Sequence, residues 1–191
     1  LVLNHYGGNM VNSLTNAVQF GLRDKLVNNK NFEIVVPLYS RLMAKGACAN
    51  VKGIFGSTNW HWSLQDEGSK AFVKSFGTKY GFPPSQAAHT TYVQTLLYAD
   101  ACERAGTFNP CGVVEALEGF EFDGMGNGKT LYRAEDHQCF KDVLVVKGKE
   151  NPTSEFDLLE IVEVTPVEQV TYAPDHPQVA GGSLGSCNPG A

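Results

Sequence analysis

The residues of this chain best suited to holding a small molecule fall in three short runs: Asn4-His5-Tyr6, Tyr39-Ser40, and Ser57-Thr58-Asn59-Trp60-His61-Trp62. Rings supply apolar faces, and amides and hydroxyls orient a polar ligand, which is what a small-molecule cleft requires. The competing reading for Trp60 and Trp62 is simple packing against the next helix, although a buried indole N–H still needs a partner. Gly124-Met125-Gly126-Asn127-Gly128-Lys129-Thr130 ends like a phosphate loop, but Gly124 and Gly128 enclose three residues where that loop needs four, and both flanks read as strands. It is expected to be the turn that joins Phe120–Phe122 to Leu131–Arg133. The five histidines, His5, His61, His89, His137 and His176, form no His-x-x-x-His pattern, and no Cys-x-x-Cys occurs, so neither a metal site nor any cofactor is expected. His5 and His61 each follow an expected strand, whereas His137 reads as a structural hydrogen-bonding residue. No Gly-x-Ser-x-Gly elbow is present and no cysteine stands in a nucleophile context, so the chain does not read as an enzyme.

These runs need elements to position them. Val2-Leu3 reads as the end of a buried strand, followed by the Gly7-Gly8 turn and a helix carrying Val11, Leu14, Val18 and Leu22 on one face. Phe32 to Val36 is a β-branched run stopped by Pro37, a short helix spans about Ser40 to Ala47, and Val51 to Gly56 reads as another strand. This alternation predicts parallel strands covered by helices. Asn4, His5, Tyr6, Tyr39, Ser40 and Trp60 would then face one concavity, at the edge where open α/β sheets bind ligands. Ser63 with Asp66 resembles a capping box ahead of a helix that ends at Gly81 and Pro83-Pro84. A long helix from Ser85 to Ala105, closed by Gly106, is buried over a wide arc, and a short helix runs from Cys111 to Glu118. Hairpin-like strands follow, at Phe120–Phe122, Leu131–Arg133, Phe140–Val146 and Phe156–Val164. The Pro- and Gly-rich tail from Tyr172 is expected to be irregular or partly docked.

Composition narrows the classes. The chain has 191 residues, 42% of them hydrophobic, enough for a sizeable core. Fifteen basic residues against 20 acidic ones give a net charge of −5, with no basic run to track a phosphate backbone, so nucleic acid is not an expected partner. No stretch approaches the apolar length of a membrane span. The start on Leu1-Val2-Leu3, with neither an initiator Met nor a secretory leader, reads as a chain entered midway.

Asn4-His5-Tyr6-Gly7-Gly8, Gly53-Ile54-Phe55-Gly56 before Trp60, Ser69-Lys70-Ala71-Phe72-Val73 and Lys79-Tyr80-Gly81-Phe82-Pro83-Pro84-Ser85 together resemble the second half of periplasmic substrate-binding proteins of ABC transporters, of the Leu/Ile/Val-binding type for branched-chain amino acids and amides. Tyr98 to Thr107, Ala116-Leu117-Glu118-Gly119 and Tyr132 to Gln138 extend the resemblance, which runs from Leu1 to about Val164. It implies a type I periplasmic-binding α/β fold of two lobes, the first incomplete here, closing on a ligand about a hinge. Residues 1–84 would form most of the second lobe, 85–140 the returning part of the first, and 141–191 a further hinge crossing and the tail. The implied role is capture of a small amino acid or amide for a membrane permease, without chemistry, in a periplasmic or extracytoplasmic setting. A ligand sensor of the same fold, signalling to a regulatory protein, is the alternative. A branched-chain amino acid or short amide is favoured over a sugar or a phosphate compound, because the rings suit an apolar tail and no basic cluster lies near the strand ends.

An exported protein would hold well-placed cysteines oxidised. Cys139 in a strand and Cys187 in the poorly anchored tail are the expected pair; closing that loop of about 48 residues would restrict the unfolded chain by about 4 kcal/mol. Cys102 with Cys111 is the rival pair, and Cys48 is expected to stay free.

Overall fold

Met10, Leu14 and Ala17 recur at helical spacing. In the computed structural model, which describes residues 1–126, 128–177, 179 and 187, they form the buried side of helix α1 (Gly7–Gln19). A small hairpin, β1 (Leu26–Val27) with β2 (Lys30–Asn31), turns through Asn28 and Asn29, both left-handed at φ 52° and 59°. Strand β3 (Val35–Val36) leads to α2 (Arg41–Ala47), whose first turn is capped by the Ser40 hydroxyl, and a 3-10 turn (Cys48–Val51) precedes β4 (Phe55–Thr58). The strand expected over 51–56 therefore begins later, because Cys48–Val51 coils into that turn first. Helix α3 (Glu67–Tyr80) is capped by Asp66 through Ser69 N–H rather than by Ser63. Then come α4 (Gln86–Ala105), capped by Ser85, and α5 (Pro110–Leu117), capped by Asn109. Strands β5 (Glu121–Phe122), β6 (Thr130–Tyr132) and β7 (Cys139–Phe140) form a small antiparallel sheet, with the glycine-rich run as the β5–β6 turn. Strands β8 (Val143–Gly148) and β9 (Leu159–Thr165) and the short α6 (Val167–Val170) complete the described chain.

The main sheet has the order β3-β4-β8-β9. Val2 bridges Val35 in parallel and β3 pairs β4 in parallel, as the strand–helix alternation required. The sheet is nonetheless mixed, because β8 and β9 run antiparallel to their neighbours. A short link joins β8 to β9 without a crossover helix, which only antiparallel strands allow. In β8 alternate residues are buried; Leu144 and Val146 join Leu3, Met10, Leu14, Ile34, Val36, Met43 and Ile54 in the core. Each such side chain contributes about 1.5–3 kcal/mol by leaving water. Outermost β9 carries exposed Glu160 and Glu163, charges that discourage strand addition. Ala101, Cys102 and Val113 form a second, smaller apolar contact between α4 and α5.

The cysteine pairing differs from expectation. Cys111 is bonded to Cys187, with Cα atoms 5.5 Å apart, while Cys48, Cys102 and Cys139 are free. Both Cys139–Cys187 and the rival Cys102–Cys111 are thus excluded. Cys102 is buried in the α4–α5 contact, and the Cys139 thiol is engaged with the Tyr132 hydroxyl on the neighbouring strand. Cys111, in the first turn of α5, is left to take the tail. Arg133 adds a second anchor: it pairs with Asp136, lies 4.3 Å from the Phe140 ring centre and donates to the Tyr172 carbonyl at 2.7 Å. The rest of the expected irregular tail, at 178, 180–186 and 188–191, lies outside the described residues.

Peptide mapping without reductant should recover a Cys111–Cys187 cross-link, and a Cys139–Cys187 cross-link would contradict the fold. Removing that cross-link with Cys111→Ser should lower the unfolding midpoint, the tie across 76 residues being worth about 4.5 kcal/mol in the chain-entropy model. A Cβ on Gly56 would stand 2.6 Å from the Tyr39 side chain, so Gly56→Ala should cost about 1–3 kcal/mol, measurable by urea unfolding.

Candidate functional site

Three adjacent chain passes, Val2–Leu3, β3 and β4, run parallel and end at one edge of the main sheet. The backbone ties them there: Leu3 N–H donates to Val35 O at 2.9 Å and Tyr39 N–H donates to Ser57 O at 2.8 Å. The six residues expected to line a concavity are all delivered to this edge, but their side chains divide into two sets.

Asn4, His5 and Tyr6 are exposed, Tyr6 by 54%. The His5 ring is steadied by a 2.7 Å hydrogen bond between Nδ1 and the Ser13 hydroxyl on α1. Tyr39, Ser40 and Trp60 turn inward instead. Tyr39 packs its ring on Gly56 with its hydroxyl unpartnered among the described residues, and burial pushes its pKa well up. Ser40 accepts from Met43 N–H at 3.2 Å. Trp60 is 1% exposed, so it does not line an open surface. The physical reason is that its ring has better partners inside: Nε1 donates to Ser69 Oγ at 2.9 Å, and the indole stacks on His89 with ring centres 4.3 Å apart and planes 3° apart. Leu38 and Leu42, exposed beside the end of β3, are apolar edge residues that the sequence reading passed over; an unburied leucine next to a strand end is their only signal.

His89 ties in a further segment. Its Nε2 donates to the Met125 carbonyl at 2.6 Å, which leaves Nδ1 bare, buried and without a partner among the described residues. The loop containing Met125 also lies close against the start of α3, where a Cβ on Gly68 would run into the Gly124 carbonyl oxygen. Four segments, the exit of β4, the helices α3 and α4, and the β5–β6 turn, therefore meet at Trp60. Nearby, His61 Nδ1 accepts from Ser63 N–H at 3.3 Å and is 2.7 Å from the Ser63 hydroxyl. Among the described residues, no group of three or more His, Cys, Asp or Glu is placed to hold a metal.

Both enclosed imidazoles are held neutral. Burial, with added repulsion from Lys149 and Arg41, brings His61 down to about 4. Burial and the Lys141 charge bring His89 down to about 4, against the Met125 hydrogen bond and Asp66, which pull it up. In the unfolded chain both titrate near 6.5, so as pH falls the unfolded state takes up protons first. Their stabilisation is complete above pH 6.5 and should be lost as pH falls to about 4. Urea unfolding across that window should show the loss, and His89→Gln should flatten it; an unchanged slope in the variant would contradict the assignment.

Comparisons with known proteins agree with this architecture. A family model described as periplasmic binding protein matches residues 1–153. No curated protein sequence matches the chain. Among solved structures, an amino acid ABC transporter substrate-binding protein from Pseudomonas fluorescens superposes with a TM-score of 0.75 at 21% identity, over 95% of this chain and 46% of that one. A branched-chain amino acid ABC transporter periplasmic ligand-binding protein from Burkholderia xenovorans gives 0.71 at 23% identity, over 88% of this chain and 44% of that one. A leucine-binding protein from Thermotoga maritima gives 0.69 at 20% identity, over 88% and 45%. The chain spans less than half the length of these structures, and at such identities they carry the fold: α/β, type I periplasmic-binding, with the two-lobed architecture present in part. With the family match extending over most of its length, the chain belongs to the periplasmic binding protein family.

Proposed function

We propose that this chain is part of the extracytoplasmic solute-binding component of an ABC importer, which captures a small amino acid of the branched-chain type, or a short amide, between two lobes and passes it to a membrane permease. The observation that supports the reading most is the shared edge. Three parallel passes end side by side there and carry exposed Asn4, His5 and Tyr6, with exposed Leu38 and Leu42 beside the end of β3. An aromatic ring and two leucines suit an aliphatic tail, while the amide and imidazole suit its polar end. Tyr39, Ser40 and Trp60 serve the site from behind by fixing the loops that present these groups.

On this reading residues 1–84 form most of the second lobe, 85–140 return toward the first and 141–191 cross back. Closure about those crossings would enclose the ligand. One structural neighbour is a leucine-binding protein and another a branched-chain amino acid ligand-binding protein, both in keeping with an aliphatic ligand.

Calorimetry on the full-length protein with leucine, short amides, urea and sugars tests the reading. Leucine or a short amide should bind at a single site, and Tyr6→Ala should weaken that binding by about tenfold or more. Tight sugar binding without any response to amino acids or amides would overturn it.

A further inference from the structure

The lysines of this chain are mostly either exposed or paired, as half-buried charge normally demands. Lys45 reaches Glu155 at 3.1 Å, Lys52 reaches Glu150 at 2.7 Å and Lys149 reaches Asp157 at 2.6 Å. Lys141 departs from that pattern. It is half-buried, and its ammonium has no hydrogen bond or ion pair among the described residues. Burial lowers its pKa, the expected cost of enclosing a cation, and the nearby Cys139 thiol opposes that shift only in part.

Its location gives the missing partner a chemical identity. Lys141 and Asp142 form the two-residue link between β7 and β8. Leu144 of β8 pairs with Thr58 of β4, so the residues ahead of Val143 lie beyond the edge at which Asn59 and Trp60 leave the sheet. Lys141 is close enough to His89, stacked on Trp60, to depress its titration. Asp142 Oδ1, next in sequence, accepts from Val167 N–H at 2.9 Å, and Asp66 Oδ1, near His89, accepts from Ser69 N–H at 2.8 Å. An ammonium with no ion pair among the described residues, at a sheet edge that also carries exposed Tyr6 and Leu38, matches a ligand with one anionic group and an apolar body.

We propose that Lys141 is a specificity-determining residue of the site at this sheet edge, supplying the cationic contact for a carboxylate of the ligand, so that apolar carboxylates are selected over their neutral amides. This rests on the solute-binding reading above and narrows its ligand class. A charge-assisted hydrogen bond to an enclosed carboxylate is stronger than a neutral one, and the amide cannot form it.

The test compares isovalerate with isovaleramide, which share an apolar body and differ in the anionic group, by calorimetry on the full-length protein. Isovalerate should bind about tenfold or more tightly than isovaleramide, the factor that one charge-assisted contact provides. Lys141→Met should abolish that preference by weakening isovalerate alone, and Lys141→Arg should retain it, which separates loss of charge from loss of folding. Equal binding of the two probes by the unaltered protein, an undiminished preference in Lys141→Met, or competition by inorganic phosphate in place of isovalerate would each overturn the proposal. If leucine still binds while that preference is absent, the Lys141 assignment alone falls; if no compound of either panel binds, the solute-binding reading falls with it.

Discussion

The arrangement turns on the burial of one indole. Trp60 is too large to enclose cheaply unless its N–H is satisfied, since an orphaned buried donor costs about 1–3 kcal/mol. The Ser69 hydroxyl takes that hydrogen bond from the first turn of α3, and His89 covers the ring from α4. His89 in turn holds the Met125 carbonyl, drawing the β5–β6 turn against the start of α3. Close packing here depends on the absence of a side chain at Gly68, where the Gly124 carbonyl approaches. One tryptophan thereby fixes how β4 leaves the sheet and where two helices and a distant hairpin meet.

That junction explains the division of labour at the sheet edge. Loops able to bind a small molecule need a rigid support, and here the support is built from the ring-bearing residues that face inward. Tyr39 on Gly56, Ser40 at the α2 cap and Trp60 on His89 are positioned by packing and hydrogen bonds inside the molecule. Asn4, His5, Tyr6, Leu38 and Leu42 are left facing solvent. Neutral His61 and His89 belong to the support, since burial outweighs the contacts that would favour a charged imidazole in either place. Lys141 is the counter-example, a charge retained beside this support without an ion pair among the described residues.

Local physics was legible in the sequence wherever a residue acts on its immediate neighbours. Gly81 and Gly106 end α3 and α4, and the glycine-rich run is a hairpin turn rather than a phosphate loop. The parallel order of the first three passes also followed from strand–helix alternation, and the family resemblance named the fold to which they belong. What the tertiary structure alone decided are contacts between positions far apart in the chain. The antiparallel return of β8 and β9 depends on where the chain re-enters the sheet. The Cys111–Cys187 bond depends on which cysteine faces the tail, which helical or strand periodicity does not encode. Trp60 read as a ligand ring because its type and place after a strand suit either role. Only the approach of Ser69 and His89 made burial the lower-energy choice.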